Sequence, residues 1–180
     1  MSKPYVYPKN LIPKFFMMKR YLYVRTILKT SKTLDIGCNK YKIIPNSIGL
    51  DVDPKVKPDI IANVLNLPFT NCYFDSVLAL ELIEHFNNSD QNKMLSEIYR
   101  VLKNKGQLIV STPNISRYTK KIHDGLWFIS HFIYARKDLG LHIGELTHRR
   151  LRKKLTKNNF IIKSEKAFSF FNYVVECVKK

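Results

Sequence analysis

Between residues 33 and 111 the chain is punctuated by short unbroken apolar runs, each closed by turn residues: 33–36, 47–50, 59–62, 74–80 and 107–111. Runs of this length without alternation predict strands of a mostly parallel sheet, covered on both faces. Between the last two the period lengthens, and Met94, Leu95, Ile98, Val101 and Leu102 share one face of a predicted helix. Ser89 or Asp90 is its expected cap, Gly106 its expected stop, and Lys93 with Glu97 an expected ion pair one turn apart. A further helix is expected over 148–157 behind Thr147, followed by neighbouring strands over 160–166 and 171–178. Upstream, residues 14–30 lack Gly and Pro and predict a helix. Phe16, Met17, Tyr21, Tyr23, Val24, Ile27 and Leu28 line one side of it, and Lys14, Lys19, Arg25 and Lys29 the other.

The charge is uneven along this pattern. The 180 residues carry 31 Lys plus Arg against 14 Asp plus Glu, a net +17. Residues 1–33 hold +8, residues 34–114 hold −1 and residues 115–180 hold +10, so the excess lies on the flanks of a nearly neutral middle. Such flanks attract polyanions, and nucleic acid or another anionic surface is a candidate partner. The expected late helix concentrates Arg149, Arg150, Arg152, Lys153, Lys154 and Lys157 around a narrow Leu151 and Leu155 stripe.

Length and composition suit one domain spanning 1–180, with residues 1–32 as a basic N-terminal extension and helix. Residues 115–145 follow no clean period and are expected to be an insertion that shapes a substrate site. Cys38, Cys72 and Cys177 are far apart and odd in number, which supports neither a disulfide framework nor a metal site. No metal is expected, nor a secretory signal or transmembrane segment. The expected localisation is cytoplasmic, and the oligomeric state is open.

The candidate chemistry begins at Leu34-Asp35-Ile36-Gly37-Cys38-Asn39, a strand entering a turn, and at Ile48-Gly49-Leu50-Asp51, a second strand ending in a carboxylate. In open α/β sheets ligands bind at the carboxyl ends of strands, where a glycine admits close backbone approach and an acid can take ribose hydroxyls. Asn63-Val64-Leu65-Asn66-Leu67-Pro68-Phe69 follows the third strand, and Glu81-Leu82-Ile83-Glu84-His85-Phe86 the fourth. Leu95 to Lys103 and Gly106 to Asn114 complete the order. In that sequence and spacing the chain resembles the class I, Rossmann-like S-adenosylmethionine-dependent methyltransferases, specifically an abbreviated form of the broad type 11 group. The resemblance covers 33–114 and resumes at His142-Ile143-Gly144-Glu145-Leu146-Thr147.

The resemblance implies an α/β fold with a seven-strand, mostly parallel sheet and an antiparallel C-terminal strand. It also implies S-adenosylmethionine as cofactor and methyl transfer to an unidentified acceptor. By position, Asp35, Gly37, Cys38 and Asn39 would lie against the methionine part, and Asp51 would take the ribose hydroxyls. Val52 would flank the adenine. Asn63 stands where an Asp usually meets the adenine amino group, with Val64 beside it, and Leu80 would offer its carbonyl to the methionine amino group. His142 and Glu145 fall on the acceptor side, and His85 follows the fourth strand; these three are the candidate acid-base residues, His being suited by its ordinary pKa.

Two departures stand out. Asn39, Lys40 and Tyr41 replace further glycines after Cys38, although Asn tolerates positive φ. Ten residues, 39–48, separate the first two strands and eight, 52–59, the next two, whereas a parallel crossover with a helix usually takes a dozen or more. The intervening helices are therefore expected to be shortened or missing, with Tyr41, Ile43, Ile44 or the N-terminal helix covering the bare face. Two other functions fit the residues: a catalytically inactive binding protein of this fold, or a basic protein that binds nucleic acid or a membrane surface.

Overall fold

The computed structural model describes residues 11–28, 32–40, 42–113, 144, 146–168 and 172–180, with side chains from Met18 onward. Seven strands form one sheet: β1 (Thr33–Ile36), β2 (Ile48–Asp51), β3 (Ile60–Ile61), β4 (Phe74–Leu80), β5 (Leu102–Thr112), β6 (Phe160–Phe168) and β7 (Asn172–Lys179). Their order is β3-β2-β1-β4-β5-β7-β6. Pairing is parallel from β3 through β5, and β7 runs antiparallel to both β5 and β6. The expected sheet and its single reversed strand are both present. The order jumps at β1, where chain enters the sheet centre and leaves toward one edge before returning to the other side as β4. At such a reversal the carboxyl ends of adjacent strands diverge and open a crevice.

Among the described residues three helices cover the sheet: α1 (Leu11–Ile27), α2 (Asn88–Val101) and α3 (His148–Lys157). Met94, Leu95, Ile98 and Val101 of α2 and Leu151 and Leu155 of α3 bury completely against Leu34, Val77, Leu108, Val110 and Val175. Each such side chain contributes about 1.5–3 kcal/mol relative to exposure. The other face presents Leu78, Ile109 and Val174, which meet Tyr23, Val24 and Ile27 of α1 and Leu28 just after it, together with Ile43 and Ile44. Two hydrogen bonds fasten α1 there, from Gln107 Nε2 to the Ile27 carbonyl (2.8 Å) and between the Tyr23 and Ser164 hydroxyls (3.3 Å).

The short crossovers behave as the spacing predicts. Among the described residues, turns alone join β1 to β2, and one 3-10 turn, Pro54–Val56, lies between β2 and β3. The bare face is closed by α1 and the 43–44 segment.

Three local expectations are corrected. The cap of α2 is Asn87, not Ser89 or Asp90: its Oδ1 accepts from the Asp90 amide (3.0 Å) while its Nδ2 donates to the Asp90 carboxylate (2.8 Å). Gly106 does not stop the helix, because Leu102 already pairs with Phe74 as strand. Residues 103–106 bulge out of the ladder, and a side chain at Gly106 would sit 2.7 Å from the Lys103 carbonyl. Glu97 is bonded to Arg100 at 2.8 Å and to the Leu67 amide at 2.7 Å, and Lys93 acts on it only through its charge. Arg100 also holds the Leu67 and Phe69 carbonyls, so the pair pins the segment before β4.

Candidate functional site

At the end of β1 the chain folds back over β2, and the amides of Gly37 and Cys38 both donate to the Leu50 carbonyl at 2.8 and 3.2 Å. Gly37 has φ +67°, and a Cβ there would stand 2.9 Å from Leu82 Cδ1. Both the conformation and the space call for glycine. Asn39 follows with φ +51°, so it does take up the left-handed conformation in place of a second glycine. Its amide donates to Asp51 Oδ2 at 3.0 Å, which ties the turn after β1 to the carboxylate ending β2. Asp51 Oδ1 accepts from the Asp53 amide at 3.1 Å. Half-buried, this carboxylate lies at the carboxyl edge of the sheet, and its neighbour Val52 is 68% exposed. An acid with spare lone pairs thus stands next to an open apolar side chain.

Asp35 sits deeper. It is 4% exposed, and Oδ2 accepts from the Ile43 amide at 3.2 Å. Burial raises its pKa to about 7, against the lowering effects of that amide, Lys42 and Arg20. What Asp35 grips is the segment that follows the turn. Cys38 is buried against Gly49, and burial followed by the nearby Asp35 charge pushes its thiol up to about 12, so it is a packing residue and not a thiolate.

After β3, Asn63 is exposed and closes its own turn, with Oδ1 accepting from the Leu65 amide at 2.9 Å. Val64 beside it is buried. Leu80 ends β4, and Glu81 then breaks the strand with φ +52°. The Glu81 amide donates to the Ser111 carbonyl and hydroxyl, and the Ser111 hydroxyl donates to Glu81 Oε1 at 2.7 Å. Onto the same oxygen comes Arg20 of α1 at 2.9 Å. Arg20 is buried and its Nε has no hydrogen-bond partner.

Glu84 is 1% exposed and neither of its oxygens makes a hydrogen bond; the Thr112 hydroxyl, also unbonded, is near enough to favour the charged form only slightly. Burial, reinforced by the Glu81 charge, raises the Glu84 pKa well above the ordinary carboxylate range. Glu81, Glu84 and His85 do not share a helix face, because 83–85 is a single 3-10 turn and α2 begins only at Asn88. His85 is half-buried in that turn. The returning chain at Gly144 donates its amide to the Glu84 carbonyl at 3.0 Å, and Gln91 Nε2 reaches the Ile83, Phe86 and Gly144 carbonyls at 2.7–3.1 Å.

The structure therefore brings Gly37, Asn39, Asp51, Val52 and Leu80 to one edge, with Asp35 and Cys38 behind them. His142 and Glu145 lie outside the described residues. The residue that sequence reasoning missed is Arg20. The signal was present: four positions before Val24 and seven before Ile27, a cation stood within the apolar side of the predicted helix.

Residues 34–110 match the profile of a family described as "Methyltransferase domain". The chain is 51% identical over 93 residues to an uncharacterized protein of Methanocaldococcus jannaschii, an overlap covering 45% of this chain and 40% of that protein. It spans about two fifths of the length of the first curated relatives it matches. A SAM-dependent methyltransferase from Methanosarcina mazei superposes with a TM-score of 0.66 at 16% identity, covering 87% of this chain and 96% of that one. A SAM-dependent methyltransferase from Archaeoglobus fulgidus gives 0.66 at 17% identity, covering 92% and 94%. At these identities the two structures share the fold.

Proposed function

We propose that this chain, whose residues 34–110 match a methyltransferase-domain family and whose sheet shares the fold of S-adenosylmethionine-dependent methyltransferases, moves a methyl group from S-adenosylmethionine to an acceptor held at the same sheet edge. The observation that carries the reading is the Asn39–Asp51 contact, which sets a half-open carboxylate and an exposed valine beside a glycine turn at the switch in strand order.

The residues present fit such a cofactor. The turn at Gly37 leaves no room for a side chain, Val52 offers an apolar surface to a ring, and Arg20 Nε is a buried donor without a partner. When bound, the cofactor supplies a methyl group activated by its sulfonium. The chain supplies binding and orientation: Asp51 takes the ribose hydroxyls, Val52 flanks the base, and Asn63, with the Val64 backbone beside it, meets the base's amino group. The Gly37-Cys38-Asn39 turn and the Leu80 carbonyl hold the amino-acid end, and Asp35 acts by holding the segment behind the turn. Holding an acceptor in line supplies effective molarity worth roughly 7–11 kcal/mol, so positioning outweighs acid-base chemistry. For an acceptor that must lose a proton, His142 with Glu145, or His85, is the proposed base.

Among the described residues no helix is long and apolar enough to cross a membrane. A reducing, cytoplasmic setting is proposed on the strength of Cys38, Cys72 and Cys177, which are all unpaired. Calorimetry with S-adenosylhomocysteine tests the assignment. Wild type is expected to bind and Asp51→Ala to lose binding while keeping its far-ultraviolet dichroism; equal binding by both would overturn the ribose assignment.

A further inference from the structure

Helix α3 is built against its own electrostatics. Its ten residues include Arg149, Arg150, Arg152, Lys153, Lys154 and Lys157 and no acid. Cations at 149 and 153, 150 and 153, and 153 and 157 stand three or four positions apart, a repulsive spacing. Arg149 and Arg150 moreover occupy the first turn, where the helix dipole disfavours positive charge. Part of this charge is spent inside the molecule: Lys154 is buried and bonded to Asn88 and Asn92, and Arg152 pairs with Glu165 at 2.8 Å. Arg149, Arg150, Lys153 and Lys157 are exposed and form no ion pair among the described residues.

The chemistry of this face selects its partner. Leu151 and Leu155 are fully buried, and none of the exposed large apolar side chains among the described residues is on α3. A membrane-surface helix needs an apolar face to insert, and a protein interface needs an apolar core; this face has neither. A row of cations about 12 Å long, at helical spacing, suits successive backbone phosphates. The row also leads to the proposed site. Its first turn follows Thr147, the side-chain cap, and Gly144, whose amide is bonded to the Glu84 carbonyl beyond β4.

We infer that the exposed face of α3, through Arg149, Arg150, Lys153 and Lys157, docks the phosphate backbone of a nucleic acid, RNA first among them, and that the docked strand carries the methyl acceptor. The docking stands on the charge array alone; the identification of the acceptor rests on the proposed methyl transfer.

The test measures anisotropy of a fluorescein-labelled single-stranded RNA of about 20 nucleotides against the full chain, across salt. Four phosphate contacts give a slope of log affinity on log salt near −2.8, so affinity falls roughly 50-fold between 50 and 200 mM salt. The quadruple variant Arg149→Gln, Arg150→Gln, Lys153→Gln, Lys157→Gln is expected to lose at least tenfold in affinity at low salt and most of that slope. Its helix, relieved of repulsion, should melt no earlier than wild type. Unchanged RNA binding by the variant, a slope near zero, or preferential capture of wild type by vesicles containing phosphatidylserine would overturn the docking. A DNA strand of the same length bound equally well would support the docking and remove the preference for RNA. Calorimetry with S-adenosylhomocysteine, run on both proteins, separates the two readings. RNA binding without cofactor binding would refute methyl transfer and the acceptor assignment while supporting the docking. Cofactor binding without RNA binding would refute the docking, and with it the acceptor assignment, while leaving methyl transfer in place. Transfer of labelled methyl to RNA by wild type, reduced at least tenfold in the variant, would support both.

Discussion

The Arg20 guanidinium meets the Glu81 carboxylate at 2.9 Å, and this one contact joins α1 to the carboxyl end of β4. Ser111 completes it from β5, donating to the same oxygen. The arginine is buried and the glutamate partly exposed, so breaking the pair strands a charge that water reaches only from one side. Arg20→Met is expected to cost about 3 kcal/mol in urea unfolding, toward the low end for a severed buried pair. Adding Glu81→Gln should recover part of that loss. A double variant no more stable than Arg20→Met would show that the two side chains do not interact.

Gly37→Ala forces an L side chain to φ +67° and brings its Cβ within 2.9 Å of Leu82. The backbone term alone is roughly 1–2 kcal/mol. Distortion of the turn should weaken S-adenosylhomocysteine binding at least tenfold, or about 1.4 kcal/mol. Leu82→Ala in the same chain removes the clash but not the backbone strain, so it should restore stability only in part. Complete restoration, measured by thermal unfolding, would mean that space and not conformation selects glycine here.

Asp35 makes a pH-dependent contribution whose sign follows from burial. Its folded pKa is raised to about 7, above the ordinary value of 3.8, so between those values the folded state holds a proton that the unfolded chain has released. Stability from this group is fully present below about pH 4, declines as pH rises, and levels off above about pH 7. Asp35→Asn removes that dependence. Relative to the variant, wild type should lose about 2–3 kcal/mol between pH 5 and 7, read from urea midpoints at each pH. A gap between the two proteins that stays constant with pH would contradict the buried, proton-holding assignment.

Gln91 is the tie between α2, the turn after β4 and the returning chain at Gly144. Its two amide protons serve two of the three surrounding carbonyls at a time. Gln91→Leu leaves the Phe86 and Gly144 carbonyls without this donor in a buried setting, while Ile83 keeps the Phe86 amide, with an expected loss of about 3 kcal/mol. Hydrogen exchange should localise the loosening to residues 83–86. Uniform loss of protection over the whole sheet would instead indicate that Gln91 supports the core rather than this loop.

The strands were legible in proportion to how strictly burial dictated them. The expected run 74–80 coincides with β4 because both of its faces are covered and any polar interruption would be buried. For α2 the apolar face was read correctly but the cap was not. Asn87, Ser89 and Asp90 are all competent caps, and the choice depends on where the 83–85 turn delivers the chain. In the candidate site, Gly37 and Asp51 stood out because a turn and a strand end restrict what can occupy them. Arg20 and Glu84 did not, since a buried charge is recognisable only once its neighbours from other elements are in place.

The order of short apolar runs, the glycine turn and the carboxylate after the second strand were determined by the chain itself, because local backbone geometry and two-sided burial act within a few residues. The closure of the bare sheet face by α1, the pairing of Arg20 with Glu81 and the inward turn of Glu84 were decided only by tertiary structure. The first two join residues far apart in the chain, Val24 with Leu78 and Arg20 with Glu81. Their energies come from desolvation and charge, which depend on distance in space and leave no periodic mark along the sequence.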